Sequence, residues 1–225
     1  MQDYQKQFIE FLVRCGVLRF GDFTTKSGRK TPYFLNTGLY RTGAQLTRLA
    51  RSYAQVLQAE LGREFDVLFG PAYKGIPLAV STAMVLSAEH GHDVAFSFNR
   101  KEVKDHGEGG SLVGHTPRDA DRVVLIEDVT TAGTSVRESI PLLRAAAPQV
   151  QITALIVAVD RMERGTGEQS ALRELRETFG LRTLSIVTVE DIIEHLRANP
   201  VDGRLVLNDD TYQRMQEYRE KYGAN

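Results

Sequence analysis

The chain contains one cysteine, Cys15, so no internal disulfide can brace the fold. It lies in an amphipathic N-terminal pattern and reads as a small core residue rather than a nucleophile. Long apolar runs are missing too. Nothing approaches the roughly 20 apolar residues that a membrane helix needs. The opening Met1-Gln-Asp-Tyr-Gln-Lys leads only into a short, interrupted apolar stretch, so no secretory signal is visible. Excess charge is absent: 28 basic and 29 acidic residues leave a formal net charge of −1. That balance argues against nucleic acid or an anionic membrane as the main partner and leaves anion binding to local clusters. The sequence holds no Gly-x-x-x-x-Gly-Lys-Ser/Thr, and no Gly-x-Gly-x-x-Gly follows a strand. His90, His92, His115 and His195 stand apart from any cysteine or carboxylate grouping of metal-site type, and no Ser-His-Asp order is present. They read as structural or exposed. No repeat, low-complexity segment or linker appears. A soluble cytoplasmic protein is the expectation.

What is present is an alternation of strand and helix. Hydrophobic residues make up 42% of the 225, enough for a substantial core in a single domain spanning 1–225. Helical periodicity covers 2–15, 43–61, 75–90, 134–147, 169–179, 189–198 and 209–222. Extended segments are expected at 18–25, 32–36, 66–69, 94–98, 122–126, 151–159 and 184–187. Thr188, with Asp191 three residues on, caps the helix that follows it. From residue 66 onward the order predicts an α/β fold, a mostly parallel sheet flanked by helices. The first part, about 1–40, breaks the alternation and is expected to form a small N-terminal hood over the C-terminal ends of the strands. The segment 100–118 has little periodicity and several glycines. At that length it reads as an active-site lid.

Two strand ends carry the chemistry. The apolar run Val123-Val-Leu-Ile stops at Glu127 and Asp128, and the small, hydroxyl-rich turn Val129-Thr-Thr-Ala-Gly-Thr-Ser135 opens the next helix. Open α/β sheets bind ligands at such carboxyl ends. The turn and helix start can aim N–H groups and hydroxyls at a phosphate, while two carboxylates suit a sugar diol. Phe69-Gly-Pro-Ala-Tyr-Lys-Gly-Ile76 repeats the arrangement, with Tyr73 and Lys74 in the turn. Two phosphate-type turns on one sheet suit a ligand with phosphate at both ends. In the lid, Arg100, Lys101, Lys104 and His106 add cations, nearly balanced by Glu102, Asp105 and Glu108. Charge alone leaves open whether that loop binds anions or is merely solvated. Arg161 follows another buried strand. It could clamp a ligand carboxylate bidentately or pair with Glu163 at the surface. Lys26 by itself reads as a solvated turn residue, and Phe34 with Leu35 as core.

The 123–135 segment resembles the signature of type I phosphoribosyltransferases, which bind 5-phosphoribosyl-1-pyrophosphate (PRPP). The lid order Arg-Lys-x-x-Lys-x-His-Gly-x-x-Gly and the run Asp160-Arg-x-Glu-Arg-Gly165 are similar to those of the orotate-specific branch. The resemblance runs from Phe8 to the final helix. It implies that Glu127 and Asp128 hold the ribose hydroxyls and that Val129, Thr130, Thr131, Ala132, Gly133, Thr134 and Ser135 take the 5′-phosphate. Tyr73, Lys74, Arg100, Lys104 and His106 would contact pyrophosphate. Lys26 would face both pyrophosphate and base, and Phe34, Leu35, Thr131 and Arg161 would bind orotate. Catalytic roles would fall to Lys101, Lys104, His106 and Asp128. Lys101 would reach the neighbouring site of a homodimer, and Mg²⁺ would be held mainly by PRPP and water, with no protein ligand assigned. Two departures stand out: Glu127 replaces an aspartate, and Leu35 stands where a second aromatic is common. A phosphoribosyltransferase for another base and a PRPP-sensing regulatory protein remain alternatives. Arg161 with Lys26 speaks against the first and the cationic lid against the second. A fused decarboxylase barrel does not fit in this length.

Overall fold

A computed structural model describes residues 1–25, 28–102, 110–130, 132–165 and 167–224. The helices are α1 (Asp3–Arg14), α2 (Gly43–Leu61), α3 (Gly75–His90), α4 (Thr134–Ala146), α5 (Ala171–Phe179), α6 (Val189–Ala198) and α7 (Asp209–Tyr222). The strands are β1 (Leu18–Thr24), β2 (Lys30–Leu35), β3 (Val67–Phe69), β4 (Ala95–Asn99), β5 (Leu112–Gly114), β6 (Arg122–Glu127), β7 (Gln151–Asp160) and β8 (Arg182–Thr188). A six-stranded sheet has the order β5-β4-β3-β6-β7-β8, and β1 pairs with β2 in a separate antiparallel hairpin.

The large sheet is parallel except at one edge, where β5 runs antiparallel to β4. That edge strand falls inside 100–118, which had been expected to lack regular structure. Leu112-Val-Gly is too short to show a period, and its pairing with Ser97–Asn99 comes from the sheet edge rather than from local pattern. Helix α5 begins at Ala171, not at 169, because the Ser170 hydroxyl accepts the Arg173 N–H at 3.3 Å and so marks the cap. The cap at Thr188 is as expected: its hydroxyl accepts from Asp191 N at 3.1 Å, and Asp191 accepts from Thr188 N at 2.8 Å.

Strand alternation divides the core into two layers. Val124 and Ile126 of β6 join a large cluster with α1, α2, α3 and α6, whereas Val123 and Leu125 join α4 and α5 on the opposite face. All four are fully buried, as a strand covered on both faces requires. The hairpin shares the larger cluster through Leu18, Tyr33 and Leu35. The chain leaves β3 toward β4 on one side and reaches β7 from β6 on the other. The carboxyl ends of β3 and β6 therefore flank a topological switch point, the crevice where open α/β sheets bind ligands.

Candidate active site

Two glycines set the turn after β3. A Cβ on Gly70 would lie 2.0 Å from the Gly75 carbonyl oxygen, and one on Gly75 would lie 2.6 Å from the Gly70 carbonyl carbon. Strand end and helix start thus touch backbone to backbone, which only glycine permits. Between them the Ala72–Tyr73 peptide is cis, and Ala72 N–H donates to the Asn99 side chain at 2.8 Å. Tyr73 is 70% exposed, standing clear of the core.

Lys74, on the same turn, reaches across the crevice. Its Nζ lies 3.0 Å from Asp128 Oδ2 and 3.2 Å from Thr37 Oγ1. The Thr37 hydroxyl also donates to Asp128 Oδ2 in a short hydrogen bond. The other Asp128 oxygen accepts the Val129 N–H at 2.7 Å. Thr37, in a short 3₁₀ turn after β2, was not singled out from the sequence. Its only local signal is a hydroxyl after an extended strand, and its partners lie 37 and 91 residues away.

Glu127 ends β6 on the face shared with Leu125, toward α4, while Asp128 turns toward Lys74 on the opposite face. Both acids are buried. Burial pushes the Glu127 carboxyl up to about 7. Hydrogen bonds from Ser135 and from the Asp128 backbone and the charge of Lys74 oppose that rise, while the charge of Asp128 adds to it. Behind the acids, the Tyr53 hydroxyl donates to the Glu127 carbonyl at 2.7 Å and fixes the strand end.

The hydroxyl-rich turn is organised as a helix entrance. Gly133 has φ 68° and caps α4, and a Cβ there would meet Leu175 at 2.8 Å. Gly133 N–H donates to Thr130 Oγ1 at 2.9 Å, and the Ala132 carbonyl accepts from Arg137 at 3.5 Å. Thr134 and Ser135 form the first turn of α4, whose N–H groups have no intrahelical acceptor. A cavity of about 440 Å³ adjoins Lys74 and Asp128, walled by Tyr40, Leu46, Tyr53 and Leu78. None of the described residues of 129–135 lines it.

At the end of β7, Arg161 is enclosed rather than on the surface, with 13% of its side chain exposed. It does pair with Glu163, at 2.9 Å, and its Nε also donates to the Tyr33 hydroxyl at 3.2 Å. Burial alone would lower the Arg161 pKa; Tyr33 and Glu163 outweigh that and hold it above its ordinary value. On the hairpin, Phe34 is exposed and stacks on Phe23 with ring centroids 5.4 Å apart. Leu35 alternates to the other side and enters the core, so on Phe34's side it offers backbone only.

Arg100 donates its backbone N–H to Ser111 at 2.8 Å, and its buried Nε has no partner among the described residues. Lys101 lies 3.9 Å from Glu138 of α4 in the same chain. Lys26, Lys104, His106 and Thr131 lie outside the described residues. Among the described residues, no three metal-ligating side chains converge. His92 packs edge-on against Phe65, His115 contacts Asp121 at 2.7 Å, and His195 contacts Glu10 at 3.3 Å. No helix among the described residues is long and apolar enough to cross a membrane.

Residues 37–171 match the phosphoribosyl transferase domain family. The chain is 55% identical over 224 residues to the orotate phosphoribosyltransferase of Lachnoclostridium phytofermentans, covering 100% of this chain and 99% of that one. It is 53% identical to the enzyme of the same name from Clostridium beijerinckii, with full coverage of both. The crystal structure of the Francisella tularensis orotate phosphoribosyltransferase superposes with a TM-score of 0.84 at 37% identity, over 97% of this chain and 100% of that one. With its crevice at the ends of β3 and β6 and its paired acids, the chain belongs to the orotate phosphoribosyltransferase family, within the phosphoribosyl transferase fold.

Proposed function

We propose that the crevice between β3 and β6 binds PRPP and that the space between the hairpin and the end of β7 binds orotate. As an orotate phosphoribosyltransferase, the chain transfers the phosphoribosyl group of PRPP to orotate. The products are orotidine 5′-monophosphate and pyrophosphate, in de novo pyrimidine biosynthesis. The observation that carries the site reading is the Lys74–Asp128 contact at 3.0 Å. It brings a cation from one phosphate-type turn against an acid from the other, at the place where anionic leaving group and ribose must meet.

In this reading the orotate ring nitrogen forms a bond to the anomeric carbon while the bond to pyrophosphate breaks, and pyrophosphate takes the electron pair. Positive charge develops on the ribose and negative charge on the leaving oxygens. The leaving group is assigned to Lys74, Arg100, Lys104 and His106 with Tyr73, and Lys26 is assigned to both leaving group and base. Glu127 and Asp128 hold the ribose diol, Asp128 adds negative charge beside the cationic carbon, and 129–135 take the 5′-phosphate. Arg161, Phe34, Thr131 and the Leu35 backbone position the base. His106 is assigned as proton donor.

Enzymes of this family generally use Mg²⁺ with PRPP. The paired carboxylates are hard oxygen donors, a set that suits a hydrated ion carried by substrate oxygens. When bound, Mg²⁺ supplies charge neutralisation to the pyrophosphate.

We also propose a homodimer in the cytoplasm, with Lys101 acting in the neighbouring site. Helix α3 is mostly apolar up to Leu86, and Pro77 and Met84 remain exposed on its outer face. Such a helix normally has both faces covered. Segment 100–118 serves as a lid and about 1–40 as a hood over one domain.

An ultraviolet absorbance assay with orotate, PRPP and Mg²⁺ tests the reaction. PRPP-dependent loss of orotate absorbance, sharply reduced in Arg161→Ala, is expected. No loss with PRPP binding intact would overturn the base assignment. Mixing Lys101→Ala with a variant inactive at Asp128 should restore partial activity if sites are shared.

A further inference from the structure

Arg161 does not meet its surroundings as a free guanidinium. Glu163 Oε1 accepts from Arg161 Nε at 3.2 Å and from Nη2 at 2.9 Å. Tyr33, 1% exposed, donates its hydroxyl to the same oxygen at 2.5 Å and lies with its ring centroid 5.1 Å from the guanidinium carbon. The second Glu163 oxygen accepts from Arg29 at 3.4 Å. Only 4% of the Glu163 side chain is exposed. One edge of the Arg161 fork is thus spent on Glu163, and Nη1 donates to no described residue.

The backbone makes this arrangement possible. Arg161 and Glu163 are two residues apart, and Met162 between them has φ 48°, which folds the turn so that both side chains meet. Asp160 accepts the Met162 N–H at 2.8 Å and steadies that conformation. Met162 and Arg164 are tied to the chain's far end: Ala224 N–H donates to the Met162 carbonyl at 2.8 Å and Arg164 N–H to the Tyr222 carbonyl at 2.9 Å.

We propose that Glu163, with Tyr33, is the positioning element that makes Arg161 selective for a carboxylate-bearing ring. By occupying the Nε–Nη2 edge it leaves the terminal Nη1 side as the donor face presented to the ligand. It also supplies the counter-charge that lets a mostly buried guanidinium hold one pose. Glu163 touches no substrate itself; it acts through Arg161, and the inference rests on the reading of Arg161 as the orotate anchor.

The test is a double-mutant cycle on KM for orotate, read beside KM for PRPP. Glu163→Gln keeps the volume and removes the charge. It should raise KM for orotate about tenfold and leave KM for PRPP within about twofold, the size of one charge-assisted contact. Tyr33→Phe should shift it in the same direction by about threefold. In an Arg161→Ala background neither change should raise orotate KM further. A full additional effect there would overturn the proposal, as would an equal rise in both KM values. If Arg161→Ala alone leaves orotate KM unchanged, the anchor reading fails first, and separately. Should Glu163→Gln not fold, Tyr33→Phe carries the cycle, since it leaves every charge in place.

Discussion

Glu127 gives the sharpest quantitative prediction. Its carboxyl ordinarily titrates at 4.5 and here titrates at about 7, chiefly because it is buried. That gap corresponds to about 3 kcal/mol for ionising it in the empty protein. Ser135, the Asp128 backbone N–H and Lys74 favour the ionised form, while the Asp128 charge disfavours it. A ribose diol donates hydrogen bonds, which the carboxylate accepts better than the neutral acid does. Tight PRPP binding therefore calls for the ionised form. Between about pH 6 and about pH 8 the apparent KM for PRPP should fall about tenfold. In Glu127→Gln that dependence should shrink to what the substrate's own phosphates contribute. Stability moves the opposite way. From 4.5 to about 7 the folded chain holds a proton that the unfolded chain releases. The stability from that proton thus falls as pH rises through the window, by up to about 3 kcal/mol, and the glutamine variant should lose this slope. Initial rates at varied PRPP and urea melts over the same pH range measure both. An identical pH slope in wild type and Glu127→Gln would refute the reasoning.

Three other outcomes are expected. Thr37→Val deletes the hydroxyl shared by Lys74 and Asp128, and KM for PRPP should change by about tenfold while Thr37→Ser behaves as wild type. Gly70→Ala must force β3 and α3 apart against backbone atoms, so a loss of about 3 kcal/mol in denaturant melts is expected. Tyr53→Phe removes the bond to the Glu127 carbonyl inside the core and should cost about 1 kcal/mol with a small effect on orotate KM.

The parallel sheet and most helix limits were legible because they are local. Helices α2, α3 and α7 begin and end where periodicity, glycine and capping residues place them. The acids at the end of β6 and the lysine after β3 were legible because the rule for strand ends is positional. What escaped depends on partners distant in sequence. Thr37 gains meaning only beside Asp128, and Tyr33 only beside Glu163, which lies 130 residues away. β5 exists because β4 presents an open edge, and three residues cannot announce a strand alone. Arg161 with Glu163 was seen as a pair, but its enclosure follows from the hairpin folding over it, which no spacing encodes.

The anchoring of Met162 and Arg164 by Tyr222 and Ala224 changes how deletions at the chain's end should be interpreted. Helix α7 carries none of the motif residues, and shortening it looks like trimming a peripheral support. Yet its last residue, Tyr222, and Ala224 just beyond it supply backbone partners for the very loop that sets the Arg161 pose, and the Arg29 guanidinium lies over the Tyr222 ring at 4.4 Å. A truncation before Tyr222 should therefore resemble a substrate-recognition defect rather than a simple loss of thermal stability. A library screened only for folded protein would pass such variants while missing what they had lost.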